Sequence, residues 1–308
     1  MVFNYMEVLP FVSVIVPTFN AGENLDNLIE RLSAQSYPPD RFEVIVVDDG
    51  SSDCSIDRLA KGRCFYDSLN MQIVRQANQG SYAARNSGIM RASGEILVFT
   101  DSDCSPVETW LEDGVRAMLE LGADLIGGHV CFTFMRDRPN CAEIVDSTTN
   151  MQVEFDVKER KAAKTANLFV RRPVFDAVGL FPQEQLSGAD VVWTQNATKA
   201  GFTLRFCKDA KVLHPARSWF AMVSKQIRVG IGQTKGQMVS GKSLIYMLTK
   251  GLYGAKGNIE SRKSRRLYLS VRQKVGYDIA LIVSRASTFA GRIWGITFIL
   301  LSRQKSKQ

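Results

Sequence analysis

Between Phe11 and Gly128 the chain repeats one arrangement: a short apolar run, a polar turn, then a stretch whose apolar residues recur at helical spacing. The runs are Phe11–Val16, Phe42–Val47, Met71–Arg75, Ile96–Phe99 and Asp124–Gly128. Each is too short for a buried helix, and most lack the alternation of a strand wetted on one side, so they read as strands covered on both faces. Parallel neighbours need long crossovers, and the intervening segments supply them as helices. Leu25, Leu28, Ile29 and Leu32 share one helical face; Trp110, Leu111, Val115, Met118 and Leu119 share another. The order β-α-β-α-β-α-β-α-β leaves few topologies open and specifies an α/β fold, a mostly parallel central sheet with helices on both faces.

Two of these strands end abruptly in acid. Val47 is followed by Asp48-Asp49-Gly50-Ser51-Ser52-Asp53, and Phe99 by Thr100-Asp101-Ser102-Asp103. Ligands of open α/β sheets bind outside the carboxyl ends of the strands, so the repetition points to one shared crevice. Asp101 and Asp103 are hard oxygen donors suited to holding Mg2+ or Mn2+ against a diphosphate; the bland alternative is that they cap a helix beginning near Pro106. The acids after Val47 suit a nucleoside, through base N–H or ribose hydroxyls, with an Asp-Gly turn as their bland alternative. No Gly-x-Gly-x-x-Gly follows the first strand, which disfavours a dinucleotide-binding domain. Arg85 lies on a small-residue helix with Ala83, Ala84 and Gly88, placed either to face the diphosphate or to be an ordinary solvated charge.

Beyond Gly128 the pattern loosens. Residues 132–164 read as a polar insertion or a helix edging the site, 166–173 as a strand, and 174–178 as a short helix. Asp190 stands at the start of a helix over 191–200, a position shared by helix caps and catalytic carboxylates. Two short strands, Thr203–Phe206 and Lys211–His214, follow, and the second ends in one of only 2 histidines. The 6 cysteines form no Cys-x-x-Cys pair, which with so few histidines argues for free thiols and against a zinc site.

These residues resemble the family-2 glycosyltransferases with the GT-A fold, of the non-processive bacterial type. The resemblance is carried by Val14-Ile15-Val16-Pro17-Thr18-Phe19-Asn20, Val46-Val47-Asp48-Asp49-Gly50-Ser51-Ser52-Asp53, Ala84-Arg85-Asn86-Ser87-Gly88, Gly94-Glu95-Ile96, Phe99-Thr100-Asp101-Ser102-Asp103 and Ala166-Asn167-Leu168-Phe169. It covers residues 11 to 215 in the family's order. It implies transfer of a sugar from a nucleotide-diphosphate sugar, a UDP-sugar foremost, to a hydroxyl of a glycan or lipid-linked acceptor, with inversion. Pro17, Asn20 and Asp49 would line the nucleoside pocket with Arg85 near it. Asp101 would touch the donor, and Asp101, Asp103 and His214 would hold Mn2+ or Mg2+. Asp190 would be the general base. Ala189 stands where the family commonly has Glu, and the Gln-x-x-Arg-Trp signature of processive synthases is absent, which points to single transfer. The chemistry fits independently: a metal-neutralised diphosphate leaves readily, whereas a sugar hydroxyl needs a carboxylate to take its proton. A non-catalytic nucleotide-sugar-binding membrane protein would not need Asp190, and a nucleotidyltransferase would add a glycine-rich basic loop that Thr18 to Asn24 lacks.

Charge divides the chain. Residues 250–308 hold 13 basic and 2 acidic side chains, a net of +11, while residues 1–249 hold 26 and 29, a net of −3. The expected division is therefore a catalytic domain over 1–215 and a basic, amphipathic helical extension over 216–308. That extension includes a basic cluster at Ser261–Arg266 and an apolar stretch at Ile279–Leu301 interrupted by Arg285 and Arg292. An arginine at the centre of a span costs about 2.5 to 3.5 kcal/mol, so the stretch is expected to lie in an anionic membrane surface instead of crossing it. Nucleic acid is not expected as a partner, since the tail's aromatics and leucines sit in long apolar runs. Residues 1–10 lack a basic segment followed by an apolar one, so the expected location is the cytoplasmic face of the membrane.

Overall fold

The computed structural model describes residues 9–65, 69–239, 243, 246 and 270–305. Two compact units form: Met1–Cys131, Asp156–Gln183 and Asp190–His214 make the first, and Phe132–Phe155, Glu184–Ala189 and Pro215–Gln308 the second. The extension expected from residue 216 is thus joined by two segments from within the expected catalytic domain. The basic cluster Ser261–Arg266 and residues 244–252, apart from Tyr246, lie outside the described residues.

In chain order the elements are β1 (Val12–Thr18), α1 (Asn24–Ser33), β2 (Phe42–Asp48), α2 (Ser55–Phe65), β3 (Met71–Arg75), α3 (Ser81–Ile89), β4 (Ile96–Thr100), β5 (Ser105–Pro106), α4 (Trp110–Glu120) and β6 (Leu125–Thr133). There follow α5 (Cys141–Thr149), α6 (Val153–Arg160), β7 (Asn167–Arg171), α7 (Arg172–Val178), α8 (Ala189–Lys199), β8 (Leu204–Pro215), α9 (Trp219–Val239) and α10 (Val271–Lys305). The strands form one sheet in the order β3-β2-β1-β4-β7-β6-β8-β5.

The first half of the sheet follows from the apolar runs. Every residue of β1, β2 and β4 is buried, which requires cover on both faces. β1 pairs in parallel with β2 and β4, and β2 with β3. The chain therefore winds outward from β1 to β3, then returns to the other side of β1 for β4. The switch point of the winding, where open α/β sheets bind their ligands, therefore falls at the carboxyl ends of β1 and β4. Helix α3 crosses close above: a Cβ on Gly88 would stand 2.5 Å from the Ile15 side chain. Pro17 continues β1 past the last β1–β4 pair, Ile15 with Phe99, so its missing N–H costs that ladder nothing.

The second half departs from a purely parallel reading. β7 runs antiparallel to both β4 and β6, so it lies reversed between two strands of the same sense. The two short strands expected over 203–214 are a single 12-residue strand, β8. Pro106 does not start a helix; it belongs to β5, and α4 begins at Trp110 after Thr109. The sheet is locked here by Asn167, fully buried, which accepts from Trp110 Nε1 at 2.9 Å and donates to the carbonyls of His129 and Ala210 at 3.0 and 2.9 Å. Only glycine fits at 128, where a Cβ would meet the Asn167 side chain at 2.3 Å.

In the second unit, Ala142, Ile144 and Val145 of α5, Met222 of α9, and Tyr277 and Ala280 of α10 form a core. Asp146, fully buried, accepts from the backbone N–H of Arg217 at 3.1 Å and from its guanidinium at 3.3 Å. Helices α9 and α10 pack backbone to backbone: a Cβ on Gly291 would stand 2.1 Å from the Ile227 carbonyl oxygen. Among the described residues no helix is long and apolar enough to cross a membrane.

Candidate active site

Three loops meet at the carboxyl end of the parallel strands. The loop after β1 carries Asn20, in the left-handed region at φ 50°, which asparagine tolerates. Asn20 donates its N–H to Ser51 Oγ and accepts from Ser52 N–H, both at 2.9 Å, stitching this loop to the one after β2. Phe19 beside it is half exposed, an apolar ring able to stack on a planar base.

Asp49 is buried and engaged. Its carboxylate accepts from Gln76 Nε2 at 2.8 Å, Gln79 N–H at 2.9 Å and Gly80 N–H at 2.8 Å. It thereby holds the loop that leads into α3, and a nucleoside donor would use the remaining acceptor capacity. Asp48 accepts from Ser51 N–H at 3.1 Å, and Asp53 from Ser55 and Gly22 N–H groups, so much of this acidic cluster shapes the turn.

Asp101 and Asp103 lie well ahead of α4, whose first residue is Trp110, so neither caps it. Asp101 pairs with the guanidinium of Arg85, which is buried to 4% exposure and is not the solvated charge of the bland reading. Asp103 takes a different partner. The pairing of Ser105 with Leu213 brings the end of β8 alongside its loop, and His214 Nε2 comes within 3.6 Å of Asp103 Oδ2. Burial, then the charges of Asp101 and Asp103, push the neighbouring Cys104 thiol well up, keeping it protonated.

Among the described residues no group of three or more His, Cys, Asp or Glu side chains converges as a metal cage. A divalent cation that relies on substrate phosphates needs only one or two protein ligands. Asp103 and His214 fit that requirement: a carboxylate and an imidazole at a separation two cis ligands can share, a mixed set that suits Mn2+ at least as well as Mg2+. Asp101 gives its Oδ1 to Arg85, whereas Asp103 meets no guanidinium among the described residues.

Asp190 lies in the first turn of α8, at 8% exposure. Its Oδ1 accepts from Tyr82 Oη at 3.0 Å and Val191 N–H at 2.9 Å; its Oδ2 accepts from Thr165 N–H at 3.2 Å and Thr165 Oγ1 at 3.4 Å. Tyr82 and Thr165 were not legible as site residues in the sequence, because nothing local marks them; only tertiary structure brings them to Asp190. Burial, then the Asp190 charge, push the Tyr82 hydroxyl far up, partly opposed by Arg85, whose Cζ is 5.4 Å from the ring centroid. Asn86 is structural: its amide pairs in both directions with the backbone of Phe181, at 2.8 and 3.0 Å.

Comparison with known proteins agrees with this geometry. A glycosyl transferase family 2 model matches residues 13–162. The chain is 46% identical over 306 residues to the glycosyltransferase AglE of Haloferax volcanii, covering 96% of this chain and 99% of that one. An undecaprenyl-phosphate 4-deoxy-4-formamido-L-arabinose transferase of Pseudomonas syringae is 31% identical over 39% of this chain and 35% of its own length. Among solved structures, the mannosyltransferase PcManGT of Pyrobaculum calidifontis, in complex with GDP-Man and Mn2+, superposes at TM-score 0.59 over 98% of this chain and 82% of that one, at 20% identity. TarS of S. aureus in complex with UDP superposes at 0.54 over 92% and 90%, at 18% identity. The architecture is the GT-A fold, and the chain belongs to glycosyl transferase family 2 and is a glycosyltransferase.

Proposed function

We propose that the chain transfers single sugars from a nucleoside diphosphate sugar, a UDP-sugar in the first instance, to a hydroxyl of a glycan or lipid-linked acceptor, with inversion and with Mn2+ or Mg2+. The observation that carries this reading is the economy of α3. Side chains three residues apart on that helix hold the two critical carboxylates: Arg85 pairs with Asp101 and Tyr82 with Asp190. A donor-side group and an acceptor-side base are thereby fixed within one helical turn of each other.

In this reading the acceptor oxygen attacks the anomeric carbon as the bond to the diphosphate oxygen breaks, and the hydroxyl proton passes to Asp190. One in-line displacement inverts the configuration. Asp103 and His214 would hold the cation, which when bound would neutralise charge on the departing diphosphate. Asn20, Phe19 and the loop braced by Asp49 receive the nucleoside beside Pro17. The reaction belongs at the cytoplasmic face of a membrane, where an anionic surface would meet the +11 charge of residues 250–308.

The test is nucleotide release from UDP-, GDP- and dTDP-sugars with added Mn2+ or Mg2+. One donor class should give metal-dependent release, and Asp190→Asn should keep donor affinity while turnover falls by roughly 10² to 10⁴-fold. Release with unchanged turnover in Asp190→Asn would move the base elsewhere.

A further inference from the structure

Asp190 accepts from four donors, yet they are unevenly strong. The pair on Oδ1, Tyr82 Oη and Val191 N–H, stand at 3.0 and 2.9 Å; the pair on Oδ2, both from Thr165, stand at 3.2 and 3.4 Å. Oδ2 is therefore the oxygen with the more available lone pair. Val191 N–H is a backbone group that any residue would supply. Tyr82 is the side chain whose presence is a choice of this sequence.

The ring of Tyr82 has no freedom to swing away. It is 7% exposed, and its centroid lies 6.1 Å from that of Phe181, which is pinned by Asn86 and packs edge-on to Phe99 at 5.3 Å and against Trp193 at 5.0 Å. Arg85 lies over the ring, and a cation there polarises the phenol toward donating. Among the described residues the charges acting on this hydroxyl are Asp190 and Arg85; Thr165 contributes neutral donors, and Lys164 is turned to Asp156 at 3.2 Å.

We propose that Tyr82 is a positioning residue for the base: its hydroxyl clamps Oδ1 of Asp190, leaving Oδ2 to receive the acceptor proton. This rests on Asp190 being the base. The clamp holds the base in one rotamer, with Oδ2 as the oxygen presented to the acceptor.

The test uses the full chain and Tyr82→Phe, which keeps the ring. UDP release from UDP-N-acetylglucosamine and GDP release from GDP-mannose, with Mn2+, are followed at neutral pH over a range of donor concentrations. Turnover should fall by about tenfold to a hundredfold with the donor KM unchanged to within about twofold. Wild-type turnover would overturn the inference, and so would parallel changes in kcat and KM, which mark a packing role. Should Tyr82→Phe fold poorly, a ring-fluorinated tyrosine at position 82 replaces it. A stronger donor must then change kcat at an unaltered donor KM, and an unchanged kcat overturns the clamp. Asp190→Asn run in parallel separates the two claims: turnover that survives it removes the base itself, whereas an inactive Asp190→Asn beside an unaltered Tyr82→Phe removes only the clamp.

Discussion

Asp101 and Asp103 are two residues apart in one motif, but the fold gives them different partners and so different consequences when changed. Asp101 neutralises Arg85, a guanidinium at 4% exposure, whereas Asp103 faces His214 across 3.6 Å. Asp101→Asn leaves a buried cation without its counter-charge. With Asp101 itself 29% exposed, the loss is discounted to about 1 to 3 kcal/mol of stability. Asp103→Asn should leave the melting temperature nearly unchanged and weaken Mn2+-dependent nucleotide binding by roughly tenfold to a hundredfold. Thermal melting and calorimetric titration of both variants with UDP and Mn2+ check this; equal effects on both readouts would mean that the two carboxylates share one role. The sequence made the pair legible because an apolar strand ending in acid has few other readings. Their division of labour was not legible, since Arg85 and His214 reach them only through α3 and the β5–β8 pairing.

At the scale of elements, the end of the sheet opposite the crevice is held by one buried acid. Glu43, in β2, accepts from Ser13 Oγ at 2.7 Å and from Ser93 N–H and Oγ at 2.8 and 2.6 Å, and on its other oxygen from Gln72 Nε2 at 3.1 Å. Burial pushes its pKa up, but the bonds from Ser13 and Ser93, with the Arg172 charge, outweigh it and leave the carboxyl below its ordinary value. A carboxyl depressed in the folded state stabilises fully above its unfolded pKa, and that contribution is lost as pH falls through the folded value. Glu43→Gln should therefore cost about 1 to 3 kcal/mol at neutral pH, a deficit that shrinks below about pH 4. Urea unfolding at several pH values measures it; a deficit constant with pH would assign the loss to packing. Glu43 was invisible in the sequence because it sits inside an apolar run, as did Ser13. The strands themselves were legible from that same apolarity. β8 was not read as one strand, because Lys208 and Asp209 interrupt its apolar residues and mimic a turn, although its burial pattern shows them exposed on a continuous strand. The reversal of β7 was equally hidden: a short apolar run carries no mark of its direction.

At the scale of the whole molecule, the second unit presents a face that its own core does not use. Helix α10 runs 35 residues, about 50 Å at 1.5 Å per residue. Val271, Val275, Ile279, Ile282, Ile293, Trp294, Phe298 and Leu301 are exposed along it. The sequence counted Arg285 and Arg292 equally against membrane insertion, but the fold separates them. Arg292 is 5% exposed and donates to Gln233 of α9, its pKa lowered by burial, while Arg285 stays on the surface. The exposed stripe is thus more apolar than the stretch as a whole, and α10 holds no acid after Asp278. An apolar stripe with flanking cations matches an anionic headgroup layer, where each nearby Lys or Arg contributes on the order of 1 kcal/mol. The full chain should therefore pellet with phosphatidylglycerol vesicles more than with phosphatidylcholine vesicles, and added salt should release part of it. Ile282→Asp combined with Trp294→Asp, at side chains 65% and 64% exposed, should leave the fold intact and abolish pelleting. Wild-type protein that stays in the supernatant with both vesicles would sink the membrane assignment. Pelleting that survives the double substitution would move the contact off α10, and a concentration-dependent dimer that dissociates in the variant would make a second copy of the chain the occupant of this face.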